Sequence, residues 1–112
     1  MERKHIQNIW MEQILLGNKR WEARCNFGIW KNINLGDTFI LTDATREQLV
    51  RVVDVKYFGD FGDAWFILGD ELIPQCVENV VIKSDAEKIY RKYYTDSFVR
   101  ENGVVAFKLE LL

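Results

Sequence analysis

The residues best suited to chemistry lie in one short segment, Gly17–Arg24, which reads Gly-Asn-Lys-Arg-Trp-Glu-Ala-Arg. Its glycine turn places Lys19 at the head of a predicted strand, and the alternation along that strand puts Glu22 and Arg24 on one face. Two cations beside a carboxylate would hold Glu22 ionised and let Lys19 approach an anion or a carbonyl group. This cluster is therefore the candidate site for chemistry or anion binding. The alternative is a surface strand with cross-strand charge pairs, each contributing about 0.2–1 kcal/mol.

A helix before this segment and several β-rich runs after it must position these side chains. Strands are predicted where β-branched and aromatic residues cluster or alternate with polar ones. They cover residues 20–25, 38–42, 48–55, 77–83 and 104–112. A hairpin loop over 43–47 joins the second strand to the third, and a long loop covers 26–35. In the first strand, Trp21 is expected to face the core, opposite Glu22.

The sequence predicts two to three helices. Apolar spacing predicts one over 9–16, and Gly17 suits its C-terminal end. Asp63 could cap a short helix over 64–68, although a buried strand fits that apolar run equally well. The sequence Ser84-x-x-Glu87 is typical of a capping box and predicts the start of a third helix.

The order of these elements indicates the fold class. Strands and helices do not alternate regularly, which disfavours a doubly wound parallel sheet. A small, mostly antiparallel α+β barrel with helices packed outside fits better. With 112 residues, of which 48% are apolar, the chain is expected to form a single domain over 1–112.

Charge is balanced in sum but uneven along the chain. Fifteen basic and 17 acidic residues give a net charge of −2, which excludes a strongly basic coat for nucleic acids. Residues 1–31 hold six basic and three acidic groups, whereas residues 54–79 hold one basic and six acidic groups. Residues 83–100 hold five basic and three acidic groups. An anionic ligand would favour 1–31 and 83–100 if they lie on one face, and a mixed solvated surface is the alternative.

No metal site or cofactor is expected. Cys25, Cys76 and His5 are too few and too scattered for zinc or a disulfide framework. Asp60 and Asp63 could share a hard cation, but in a glycine-rich turn they are more often turn formers. The sequence has no Walker phosphate motif, no signal-peptide pattern and no membrane-spanning apolar run, so we expect a cytoplasmic protein.

The segment Gly17–Arg24 resembles the G-x-K-x-x-E-x-R signature of the ASCH domain, a member of the PUA-like superfamily. Its four fixed positions are met by Gly17, Lys19, Glu22 and Arg24. The resemblance implies a small PUA-like mixed or antiparallel β-barrel of five to six strands, flanked by two to three helices. It also implies a cleft beside the barrel mouth that these residues line.

The resemblance further implies binding of RNA or a nucleotide, and this is the first functional hypothesis. The cleft would need a stacking surface, for which Trp30, Phe27 and the aromatic residues of 57–66 are candidates. Arg20 and Lys31 could contact phosphates. For each aromatic residue the alternative is core packing, and for each basic residue it is a solvated side chain.

The second hypothesis is a small hydrolase acting on a modified cytidine or on RNA. Some small members of the family hydrolyse the amide of acetylated cytidine with the motif lysine, a threonine and a distant glutamate. This chain has Glu22 in place of that threonine, so the hydroxyl nucleophile is absent. In this hypothesis Lys19 and Glu22 are the catalytic pair, which could activate water or polarise a carbonyl. A third alternative, a protein-interaction adaptor, would require an exposed apolar patch over 58–68.

Overall fold

One curled, half-barrel sheet of five strands forms the centre of the structure, a computed structural model that describes residues 1–112. The strands are β1 (Arg3–His5), β2 (Trp21–Cys25), β3 (Thr38–Thr42), β4 (Glu47–Phe58) and β5 (Val104–Leu111). Their order is β1-β3-β4-β5-β2. Only the β1–β3 pair is parallel. This arrangement confirms the predicted α+β, PUA-like barrel.

Four α-helices surround the sheet. They are α1 (Asn8–Leu15), α2 (Phe61–Leu68), α3 (Lys83–Tyr90) and α4 (Asp96–Asn102), and two short 3₁₀ turns cover Gly28–Trp30 and Gly69–Glu71. The structure therefore has one helix more than the upper limit of the predicted two to three, because the sequence pattern did not reveal α4. None of the four helices is long and apolar enough to cross a membrane.

The first half of β5, which lies between β4 and β2, is buried on both faces because an apolar cluster packs against each of them. Val105 and Phe107 point into a cluster inside the half-barrel, whereas Val104 and Ala106 point into a cluster beneath α2 and α3. Trp21 joins the second cluster, as its position in the alternating segment predicted. The sheet thus separates two apolar cores, and β2, which pairs with β5, contributes Trp21, Ala23 and Cys25 to the second.

The prediction of a strand over 77–83 is wrong. Residues 77–82 pair with no other strand, and α3 already begins at Lys83. Val80 alone enters the core, while Val81 and Ile82 are 68% and 57% exposed. A β-rich composition was present there, but the segment has no neighbouring strand to supply a hydrogen-bonding partner.

Two helix caps also differ from prediction. The box Ser84-x-x-Glu87 does not form, because Asp85 Oδ2 accepts hydrogen bonds from the backbone N–H groups of Val81 and Ile82 and starts the helix earlier. The second helix is confirmed over its strand alternative, but its cap is Asp60 rather than Asp63. Asp60 Oδ1 accepts a 2.8 Å hydrogen bond from the Asp63 N–H.

Candidate functional site

Lys19, Glu22 and Arg24 come together at the start of β2. Lys19 Nζ lies 3.8 Å from Glu22 Oε1, and Arg24 Nη2 lies 3.6 Å from Glu22 Oε2. Each carboxylate oxygen thus has one cation near it. The arrangement follows from the Gly17 turn, which brings Lys19 beside β2, and from the two-residue spacing of Glu22 and Arg24 along the strand.

Glu22 is 5% exposed, yet one of its oxygens is available to a ligand. Oε1 accepts a 2.9 Å hydrogen bond from the Ala23 N–H. Oε2 accepts no hydrogen bond from the protein, since Arg24 at 3.6 Å is beyond hydrogen-bond distance. A nearly buried carboxylate with an unsatisfied oxygen is a strong acceptor for an N–H or O–H group of a ligand.

Lys19 is 2% exposed and its amine is occupied by the protein. Nζ donates a 2.5 Å hydrogen bond to the carbonyl oxygen of Leu72 and lies 5.3 Å from the centre of the Trp10 ring. Burial lowers the pKa of Lys19, and the charge of Glu22 partly opposes this shift. The geometry places the Lys19 amine behind Glu22, where it orients the carboxylate.

Arg24 extends from β2 towards a different set of partners. Its guanidinium carbon lies 4.5 Å from the centre of the Trp30 ring, and Nη2 donates a 3.3 Å hydrogen bond to the His5 carbonyl. The side chain is 23% exposed. Its Nε and Nη1 donate no hydrogen bond within the protein, so these N–H groups are free to bind a ligand.

Glu22 and Arg24 line a pocket with a volume of about 270 Å³. The pocket lies between the start of α1, strand β2 and the end of α3. Its lining residues are His5, Ile6, Gln7, Trp10, Glu22, Ala23, Arg24, Tyr90, Tyr93 and Tyr94. The walls are therefore largely aromatic, and Glu22 and Arg24 are the charged groups.

Three tyrosines of this pocket form one wall. The Tyr90 ring stacks on Phe61 at 3.8 Å with an interplanar angle of 7°, and Tyr94 stacks on Phe61 from 5.7 Å. Burial raises the pKa of Tyr90, so its phenol is neutral at physiological pH. Tyr93 Oη donates a 2.5 Å hydrogen bond to Gln7 Oε1. These contacts fix the wall before any ligand binds.

The sequence pattern did not identify these tyrosines as site residues. Tyr90 and Tyr93 continue the helical spacing of Ala86 and Ile89, which is typical of a buried helix face. Trp10 shares a predicted helix face with Ile14 and Leu15 in the same way. The available signal was the close spacing of Tyr90, Tyr93 and Tyr94, since tyrosines combine an apolar ring with a polar end.

The other predicted ligand-binding residues lie outside this pocket. Gly17 ends the turn after α1 with a φ of 84° and does not line the pocket. Arg20 is exposed and its Nε lies 3.4 Å from Glu71 Oε2. Trp30 is 9% exposed, stacks on Phe107 at 5.6 Å and contacts the site through Arg24.

The remaining candidates have structural partners. Asp60 caps α2, and Asp63 Oδ1 lies 2.9 Å from Lys83 Nζ. No group of three or more histidine, cysteine, aspartate or glutamate side chains is arranged to hold a metal ion. Phe27 is 56% exposed and lies beside the pocket rather than in it.

No family model and no curated protein sequence matches the chain, but its structure is similar to solved ones. The hypothetical protein PH0355 superposes with a TM-score of 0.83 at 23% identity, over 98% of this chain and 97% of that one. Protein PF0455 from Pyrococcus furiosus gives a TM-score of 0.75 at 23% identity, over 98% and 96%.

The third similar structure is that of ASCH from Zymomonas mobilis. It gives a TM-score of 0.64 at 15% identity, and the match covers 96% of this chain and 65% of that chain. The chain thus has an ASCH-like fold, as the resemblance of its Gly17–Arg24 segment predicted. At sequence identities of 15–23%, these similarities show a shared fold and nothing more.

Proposed function

We propose that the protein binds a nucleobase, carried by RNA or by a nucleotide, in the pocket bounded by Trp10 and the three tyrosines. One observation carries the proposal. The pocket combines aromatic walls with the carboxylate of Glu22, whose Oε2 has no hydrogen-bond donor in the protein. Such a pocket suits a flat, apolar ring that bears N–H groups on its edge.

The size of the pocket supports a small ligand group. Its volume of about 270 Å³ lies just below the ~300–1,000 Å³ of pockets for drug-sized molecules. Stacking of one base on an aromatic side chain contributes ~1–3 kcal/mol and depends little on the identity of the base. The aromatic walls therefore supply affinity for a single base.

Polar selectivity would come from Glu22 and Arg24. A carboxylate accepts hydrogen bonds from the amino groups of bases, and the free Nε and Nη1 of Arg24 can donate to a phosphate or to an acceptor on the base. In this proposal Lys19 is a positioning residue, because its amine is bound to Leu72 and does not line the pocket.

The test is a calorimetric titration with the four ribonucleosides and their 5′-monophosphates. We expect at least one to bind, and Glu22→Gln to weaken its binding by about 10- to 150-fold, the loss for a hydrogen bond to a charged group. Glu71→Gln is the matched control, since Glu71 is exposed and lies outside the pocket. Absence of binding at millimolar concentrations, or equal effects of the two variants, would refute the proposal.

Hydrolysis of an acylated base is a second candidate, favoured by the same free Oε2. Glu22 could take a proton from water as the oxygen attacks the amide carbonyl carbon. The C–N bond then breaks, the base amine receives the proton and the carboxylic acid leaves. Chromatography of acetylated cytidine incubated with the protein tests this directly. Release of cytidine that disappears in Glu22→Gln would support hydrolysis, and no release at high protein concentration would exclude it for this substrate.

A further inference from the structure

We propose that the ligand is a strand of at least two nucleotides, and that a groove beside the pocket binds the neighbouring base. We call this the aromatic groove and define it by Phe27, Ile29, Trp30 and Phe98. The proposal rests on the function proposed above and extends it. It assigns the site to a nucleic-acid strand and not to a free nucleoside.

The aromatic groove offers a stacking surface of its own. Its volume is about 500 Å³ and its lining contains no acidic side chain. Phe27 and Ile29 are 56% and 65% exposed. The Phe27 ring meets Phe98 edge to face at 5.2 Å with an interplanar angle of 73°. Because Phe98 contacts it in this way, Phe27 is held in place while much of its surface stays open to a base.

The groove adjoins the pocket. Tyr93 and Tyr94 line both cavities, so one tyrosine wall separates them and belongs to each. Tyr93 is 51% exposed and is tethered by its hydrogen bond to Gln7. Two bases separated by one such wall can belong to adjacent nucleotides of the same strand.

A cation lies where the linking phosphate would pass. Arg24 lines the pocket, and its guanidinium carbon is 4.5 Å from the ring centre of Trp30, which lines the groove. Since Nε and Nη1 of Arg24 have no acceptor in the protein, two N–H groups are available to a phosphate at this junction. Lys31 is exposed and follows Trp30 in the sequence, so it adds positive charge near this junction. This charge favours a polyanion over an uncharged apolar partner.

The experiment compares each ribonucleoside with its homodinucleoside monophosphate by calorimetric titration. A third probe carries the same nucleoside and phosphate but an abasic second ribose, so that it measures the phosphate without the second base. Phe27→Ala removes the groove surface. Phe66→Ala is the matched control, because Phe66 is 65% exposed on α2 and lines neither cavity.

We expect the dinucleoside monophosphate to bind about 5- to 150-fold more tightly than the abasic probe, the range for stacking of one base. Phe27→Ala should abolish that gain and leave nucleoside affinity unchanged, which also shows that the variant is folded. Phe66→Ala should change neither affinity. Binding of the abasic probe should fall with salt at a slope of about −0.7, as for one phosphate contact, and lose that slope in Arg24→Gln.

Two results would overturn this inference, and they separate it from the proposed function. If nucleosides bind but the second base adds nothing, or Phe27→Ala keeps the gain, the groove does not bind a base, although the pocket does. If neither nucleosides nor dinucleoside monophosphates bind, the pocket proposal fails together with the groove.

Discussion

The amine of Lys19 donates a 2.5 Å hydrogen bond to the backbone carbonyl of Leu72, which lies 53 residues further along the chain. The neighbouring backbone makes a second connection, from the Arg20 N–H to the Glu71 carbonyl at 2.8 Å. These two bonds join the residues just before β2 to the end of the Gly69–Glu71 turn, which lies within the acidic stretch 54–79. The position of Glu22, and with it one charged group of the pocket, depends on this junction.

Replacement of Lys19 by methionine should reduce stability because it leaves the carbonyl of Leu72, a fully buried residue, without a donor. The expected loss is about 1–3 kcal/mol in the free energy of unfolding, measured by urea denaturation. Lys31→Met serves as the control, since Lys31 is exposed and should lose little. Equal urea midpoints of unfolding for the two variants would show that the Lys19–Leu72 hydrogen bond contributes nothing to stability.

Gly62→Ala should destabilise the protein although Gly62 lies within α2. A methyl group at Gly62 would lie 2.9 Å from Lys83 Cβ and 3.1 Å from the Lys83 carbonyl, so α2 and α3 would have to separate. Overpacking costs ~1–3 kcal/mol, which outweighs the ~1 kcal/mol that alanine gains in a helix. We expect a net loss of up to ~2 kcal/mol by thermal or urea denaturation.

Gly59→Ala provides the comparison for this packing. The nearest atom to an added methyl group there is Asp63 Oδ2 at 4.0 Å, an ordinary contact. The free energy of unfolding of Gly59→Ala should equal that of the wild-type protein or be slightly higher. A Gly62→Ala variant as stable as Gly59→Ala would mean that the two helices are not packed this closely.

The stability of the protein should fall at alkaline pH, in part through Cys25. Burial raises the pKa of its thiol from an ordinary 9.0 to about 11. Between these values the unfolded chain loses the thiol proton while the native chain keeps it, so the free energy of unfolding decreases as the pH rises from 9 to 11. Cys25→Ala should make this decrease smaller.

Urea denaturation at pH 8.5 and pH 10.5 measures the effect as a difference between two pH values, which cancels the constant cost of the mutation. Cys76→Ala is the matched control because Cys76 is exposed. Between the two pH values, the free energy of unfolding of Cys76→Ala should decrease as much as that of the wild-type protein. The same pH dependence in all three proteins would contradict the buried state of the Cys25 thiol.

Local spacing was sufficient to predict part of the site. The alternation along 20–25 predicted that Glu22 and Arg24 share a face and that Trp21 enters the core, because the direction of side chains along a strand has a period of two. The helix predicted over 9–16, before this segment, and the strand predicted over 38–42, after it, also agree with the structure within about two residues at their ends. These features depend on interactions between residues that are close in sequence.

Features that depend on distant partners were missed. Strand β1 has three residues, and it exists through its pairing with β3, where Arg3 lies opposite Ile40. Conversely, residues 77–82 have the composition of a strand but no partner. The tyrosine wall was missed because helical spacing predicts which side of α3 is covered, not whether a core or an open pocket lies there.

The most direct test of the pocket is a nuclear magnetic resonance titration that follows the indole N–H signals of the four tryptophans. Trp10 lines the pocket, whereas Trp65 lies on α2 and does not. As the best-bound nucleoside is added, we expect the Trp10 signal to shift progressively to saturation while the Trp65 signal stays in place. Unchanged Trp10 signals at millimolar concentrations of all four ribonucleosides would contradict a base-binding pocket.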